Sequence, residues 1–358
     1  MSRARWQGVN LAGWLSQSSL SPAHIASFVS EADIRQIATW QFNHVRAPIA
    51  AHFLWDAERA ALREPSVAAV DRLVDWCERA GLQCFIALHL GGAPDPAGQL
   101  STLHREDDRQ QLPALWGAVA ARYASRPETA LAYDLVHRPS GIAAAAWNRT
   151  TRAITEAIRA VDTRHTLVVS GADGGRPAGF DALRPTRDPN TLYACHFYEP
   201  ELFTHQQLAT AAHGDAYREV VHYPGSAPTP AAYPDGAVGE YLRAEVGRRW
   251  DRAALAAALD PVLAFQEIYD RPIYVASFGA SCRAPRRSQL TWVRSMLTIF
   301  KAHDLNWSYW AYKGLGFGLR DPWGDHAAAP GPPNPRGRGL DPHPHIERGF
   351  ARPPPPPR

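Results

Sequence analysis

Leu131-Ala-Tyr-Asp-Leu-Val-His-Arg-Pro139 is a short, mainly apolar run that ends in two basic side chains and a proline. Such a run fits a strand covered on both faces, as strands of parallel sheets are. Seven other runs repeat the pattern, at residues 8–11, 44–47, 84–89, 166–170, 191–198, 273–278 and 306–310. Between them lie helical patterns. Val67, Val70, Leu73, Val74 and Cys77 recur at helical spacing until Gly81 stops them, and Trp147, Ile154 and Ile158 form one stripe within 143–161. Further helices are expected over 112–123, 253–269 and 288–303. Eight strands alternating with helices predict the α/β class and a (β/α)8 TIM barrel. In that fold the polar residues at the C-terminal ends of the strands line the mouth, which makes His137 and Arg138 candidate site residues.

Two segments break the rhythm. Residues 199–249 form a long stretch after the sixth strand, rich in Tyr, His, Pro and Gly, and are expected to be a lid or a wall of the cleft. Residues 326–358 contain eleven prolines and are expected to be a disordered tail, leaving the barrel as one domain over 1–325.

Composition narrows the function. A net charge of +3 over 358 residues implies no broad nucleic-acid-binding surface. Cys77, Cys84, Cys195 and Cys282 have neither C-x-x-C nor metal-type spacing, so neither metal nor cofactor is expected, and Cys77 and Cys195 read as buried free thiols. No apolar run reaches the length of a membrane span, so no membrane partner is expected. The chain enters its first strand pattern without an apolar leader, which gives a cytoplasmic expectation. The sequence gives no oligomeric state.

Several motifs follow one another in a known order. Gln7-Gly-Val-Asn-Leu-Ala-Gly-Trp-Leu15 is followed by Val45-Arg-Ala-Pro-Ile49, Ala87-Leu-His89, Cys195-His-Phe-Tyr-Glu-Pro200 and Trp307-Ser-Tyr-Trp-Ala-Tyr-Lys-Gly314. With these, residues 6–325 resemble the retaining glycosidases of glycoside hydrolase family 5. The resemblance implies that Arg46 supports the nucleophile, that His89, His196 and Tyr198 line the sugar subsite, and that Trp310 is a stacking platform. It also implies that the opening stretch corresponds to Y-D-L-x-N-E-P, with His137 and Arg138 at the Asn and Glu positions. Pro272-Ile-Tyr-Val-Ala-Ser-Phe-Gly-Ala280 is similar to P-V-Y-V-G-E-F-G, with Ser277 at the nucleophile position.

Retaining hydrolysis uses two carboxyls about 5–5.5 Å apart, whereas a guanidinium stays protonated and a serine attacks only beside a base. The expectation is therefore that ordinary glycosidase chemistry is lost. On that expectation the barrel is a repurposed enzyme for a small sugar-like or anionic metabolite, or else a silent pseudoglycosidase that binds a carbohydrate or protein partner. In the first case His137, His196 and Tyr198 transfer protons and Arg138 stabilises negative charge. Two narrower alternatives are acyl transfer by Ser277 with His196, and a metal held by His89, His137 and His196. Arg46 and Arg138 sharing one cavity call for an anionic ligand group, or for a compensating acid such as Asp134, Glu199 or a loop acid. Glu240 and Glu245 are the loop candidates. The site set is thus His137, Arg138, His196, Tyr198 and Ser277 for chemistry, with Arg46, His89 and Trp310 for ligand binding.

Overall fold

A computed structural model describes residues 5–90, 103, 106–208 and 211–320. The segment expected to be a disordered tail lies outside the described residues.

The strands are β1 (Gln7–Asn10), β2 (His44–Ala50), β3 (Gln83–His89), β4 (Leu131–Asp134), β5 (Thr166–Ser170), β6 (Thr191–Phe197), β7 (Ile273–Phe278) and β8 (Asn306–Tyr309). Each pairs in parallel with the next, and β8 returns to β1 with Trp307 opposite Gln7, closing an eight-stranded barrel. This is the (β/α)8 architecture expected from the alternation of strands and helices.

Side chains alternate across each strand, so the barrel has two cores. One apolar cluster of Trp6, Phe85, Ala132, Val168, Leu192, Ala194, Tyr274 and Ala276 fills the inside. The other lies between strands and helices and holds Val45, Val70, Leu73, Trp116, Trp147, Trp292 and many more. The helices that supply its outer half are α1 (Glu31–Thr39), α2 (Glu64–Ala80), α3 (Glu106–Tyr123), α4 (Ala144–Arg159), α5 (Gly236–Glu245), α6 (Asp260–Tyr269) and α7 (Arg286–Ala302). Helix α2 shows why they form where they do. Pro65 starts it, Val67, Val70, Leu73, Val74 and Cys77 are buried, and Gly81 ends it at φ 70°. Burial of each large apolar side chain contributes about 1.5–3 kcal/mol.

The single helix expected over 253–269 is instead two, Arg252–Ala257 and α6. Asp251 caps the first by accepting from the amides of Ala253 and Ala254. Pro261 stands in the first turn of the second, where its missing N–H costs nothing; inside a continuous helix it would clash with the carbonyl four residues back. The segment after β6 is also more ordered than a loop. It contains α5 and a two-stranded ribbon in which Gly225–Ser226 pairs with Arg249–Trp250. Leu202, Phe203, Tyr217, Val221 and Tyr223 tie it into the outer core.

His44 and Gly8 are opposite each other at the bottom of the barrel interior. The His44 ring lies 2.9 Å from the Tyr274 hydroxyl through Nε2, and a Cβ at position 8 would come within 2.2 Å of the His44 carbonyl oxygen. Gly8→Ala is therefore expected to destabilise the barrel by about 1–3 kcal/mol, read as a lower thermal midpoint. An unchanged midpoint would show that β1 and β2 move apart freely, against the closed register.

Candidate active site

Arg46 is the floor of the mouth. It points inward from the middle of β2 with no exposure to solvent. All of its nitrogens are used: Nε donates to Asp134 Oδ2 at 2.8 Å, Nη1 to Asn10 Oδ1 at 3.0 Å, and Nη2 to His137 Nδ1 at 3.1 Å. Asp134 is equally buried, and burial pushes its carboxyl upward while Arg46 pulls against that. Arg46 is therefore not a second free cation in the cleft, because Asp134, at the end of β4, answers its charge. The Asn10 side chain continues the network, donating through Nδ2 to the Ala276 carbonyl at 3.0 Å.

That last contact bears on Ser277. Strict alternation along β7 would turn Ser277 outward, since Tyr274 and Ala276 face in. The register against β6 slips between Val275, opposite Cys195, and Ser277, opposite His196. This bulge brings Ser277 inward as well, a common use of bulges near functional sites. Its Oγ lies 2.5 Å from His196 Nδ1. Behind His196, Gly175 at φ 70° leaves no room for a side chain, because a Cβ there would stand 2.5 Å from the imidazole.

The imidazoles gather around His137. Its ring centroid is 4.1 Å from that of His89 and 4.6 Å from that of His196, and it stacks on Trp310 at 5.9 Å with an interplanar angle of 15°. Since a guanidinium only donates, His137 Nδ1 carries the lone pair and Nε2 carries the proton. With Nδ1 committed in this way and the rings meeting face and edge, the three histidines do not converge on a metal. Among the described residues no group of three or more His, Cys, Asp or Glu has metal-holding geometry. Burial, followed by the two arginines, pushes His89 down to about 3. Burial also drives His137 and His196 well below the ordinary imidazole range, so all three are neutral. Tyr198 is raised by burial and is protonated.

Arg138 stands above this floor, after β4, at φ 49°. Its Nε donates to the Gly174 carbonyl at 3.3 Å. Burial lowers its pKa, and the acid it feels most is Glu201. Glu199 and Glu201 follow β6 in the chain, Glu201 opening a short helix. Burial, together with Glu201 and Glu245, pushes Glu199 up to about 7. Burial acts upward on Glu201 too, but His205, Arg176 and Arg138 hold it below the usual carboxylate value.

The structure thus brings together seven of the eight residues singled out from the sequence in one mouth, with Arg46 beneath it as floor. Sequence reasoning missed Asn10, Gly175, Glu201 and His205. Asn10 and Glu201 lie inside or beside quoted motifs, and a search for polar groups flanking each strand end would have found them. A separate cavity of about 310 Å3 opens at the opposite face, lined by Trp6, Thr166, Asn190 and Asn306 among others. That is the end of a barrel that carries stability rather than chemistry.

A closed parallel (β/α)8 barrel with an aromatic and imidazole-lined mouth at its strand ends is the class of protein that fold and site define. The particular family follows from comparison. Residues 3–316 match Cellulase (glycosyl hydrolase family 5), and the chain belongs to that family. It is 26% identical over 317 residues to Endoglucanase C of Acetivibrio thermocellus, covering 87% of this chain and 92% of the relative. It is 24% identical over 309 residues to Cellodextrinase A of Ruminococcus flavefaciens, covering 85% and 84%. Among solved structures, Thermotoga maritima Cel5A in complex with cellobiose superposes with a TM-score of 0.68 at 22% identity, over 88% of this chain and 92% of that one.

These relatives correct the functional expectation drawn from Arg138 and Ser277. The sequence reading expected a barrel without glycosidase chemistry, either repurposed or silent. The relatives matched along nearly their full length are named endoglucanases and a cellodextrinase, and they support a glycoside hydrolase.

Two stability predictions follow from the floor. Removing one partner of a buried ion pair strands the other, so Asp134→Ala is expected to cost about 3–5 kcal/mol in denaturant unfolding. The histidines set a pH limb. His44 and His89 are held at about 3 in the fold against an ordinary 6.5, so the unfolded chain takes up protons first as pH falls. Stability is therefore expected to fall between pH 6.5 and 3, each such histidine adding about 1.4 kcal/mol per pH unit. His44→Gln is expected to flatten this limb by about one proton, measured as unfolding free energy against pH.

Proposed function

We propose that the chain is a glycoside hydrolase acting on short β-linked glucans bound across the C-terminal mouth of the barrel. The observation that carries the reading is the platform of Trp310 stacked on His137, flanked by His89 and Tyr198. Aromatic faces suit the apolar faces of sugar rings, and neutral N–H and O–H groups suit their hydroxyls. The full-length similarity to endoglucanases and a cellodextrinase supports the same substrate class.

The acid–base chemistry in this reading falls to the two glutamates that follow β6. Acid and base roles fall to titratable neighbours whose surroundings push their pKa values apart. Glu199, at about 7, is about half protonated at neutral pH, while Glu201, held below the usual carboxylate value, is ionised. In this reading Glu199 protonates the leaving oxygen and Glu201 is the carboxylate partner. The same proposal sets the protein in a reducing compartment. Cys77 and Cys84 stand in hydrogen-bond contact as free thiols, an arrangement that persists where thiols are kept reduced.

Release of reducing ends from cello-oligosaccharides tests the reading. Activity is expected to fall as pH rises through about 7, where Glu199 loses its proton. Glu199→Gln is expected to lower kcat by about 100-fold or more. Trp310→Ala is expected to raise KM with a smaller effect on kcat. No release across the pH range, or full activity in both Glu199→Gln and Glu201→Gln, would overturn the proposal.

A further inference from the structure

Four of the five strong charges at the mouth lie in ion pairs within the protein. Arg46 is held by Asp134 at 2.8 Å, and Glu201 lies 3.6 Å from Arg176. The imidazoles around them are neutral. Arg138 is the exception. Its one hydrogen bond among the described residues runs from Nε to a backbone carbonyl, and none of the described ion pairs includes it. Its two terminal nitrogens are also not among the buried polar atoms that lack a partner, so they reach open space in the mouth. A half-buried guanidinium that faces a cleft is stabilised when an anion meets it.

Resting on the glycoside-hydrolase reading above, we propose that the glycan recognised here carries a carboxylate, as a uronic acid unit does, and that the Arg138 fork binds it. The charge balance favours a monoanion. One unanswered positive charge, with Arg46 and Arg176 each already paired, matches a carboxylate; a phosphate monoester carries −1.5 to −2 and needs a second free cation. Geometry agrees, since the planar guanidinium offers two parallel N–H groups to the two oxygens of a carboxylate. Two neutral donors complete the cradle. The Tyr198 hydroxyl is protonated and electrostatically coupled to Arg138, and His137, stacked on Trp310, keeps its proton on Nε2. Arg138 is thus a specificity-determining residue, and a neutral glucan leaves its charge unmet.

Calorimetric titration of the full chain with cellobiose, with cellobiouronic acid (the 6-carboxylate of cellobiose) and with glucose 6-phosphate tests this. The uronate is expected to bind at least 10-fold more tightly than cellobiose, and added salt to reduce that preference. Arg138→Gln is expected to abolish the preference, read as the ratio of the two affinities in the same variant. Arg138→Lys, which keeps the charge but loses the fork, is expected to retain only part of it, and it serves as the test if the Gln variant does not fold. Equal affinity of the wild-type protein for cellobiose and the uronate would overturn the inference, as would an unchanged ratio in the folded Gln variant. Preference for glucose 6-phosphate over the uronate would overturn the carboxylate assignment. If cello-oligosaccharides are cleaved and the uronate shows no preference, this inference fails alone. If neither sugar binds and none is cleaved, the glycoside-hydrolase reading fails with it.

Discussion

A guanidinium sealed from water in the middle of a barrel must have its charge met by the protein, and Arg46 sets that demand for the whole mouth. Asp134 meets the charge, Asn10 and His137 each accept one hydrogen from a terminal nitrogen, and the three partners come from β1, from the end of β4 and from the turn beyond it. Because each nitrogen has a separate partner, the strand ends are held at fixed separation and orientation. The same network decides the His137 tautomer. It also reaches β7, where Asn10 holds the carbonyl of Ala276 at the bulge that turns Ser277 toward His196.

Around this floor the cleft is built from neutral groups. Burial strips protons from the histidines and keeps them on Tyr198. Neutral donors and acceptors over an aromatic platform suit a carbohydrate better than a strongly charged ligand. Against that background one unpaired guanidinium has a large effect, since in low dielectric its field is weakly screened. The two carboxyls proposed as acid and base follow β6. There burial, then repulsion from Glu201 and Glu245, raises Glu199, and His205, Arg176 and Arg138 lower Glu201. Cleft polarity and acid chemistry thus come from different elements of the fold.

Much of this was legible along the chain. Eight apolar runs separated by helical stripes are a local pattern, and the strands formed at every expected position, with ends shifted by up to three residues. Pro261 was also visible, yet its effect was overlooked because the apolar spacing on either side carries through it. The site was legible as a set: His89, His137, Arg138, His196, Tyr198, Ser277 and Trp310 all end strands or follow them closely. Their couplings were not. Arg46 reads from the chain as a second cleft cation, with Asp134, 88 positions away, only one of several acids that could answer it. Ser277 sits at a position that alternation would face outward, and only the register slip against β6 shows otherwise.

What the sequence by itself determined is the barrel, its order of strands and the residue types offered at its mouth, because those depend on periodicity and on short-range rules of capping and turning. Tertiary structure alone decided which charges cancel, which nitrogen of His137 bears the proton, and that Arg138 is left facing the cleft without an ion-pair partner among the described residues. Those properties depend on distances between groups dozens to hundreds of residues apart and on how far burial removes water from them. Only the closed barrel fixes either one.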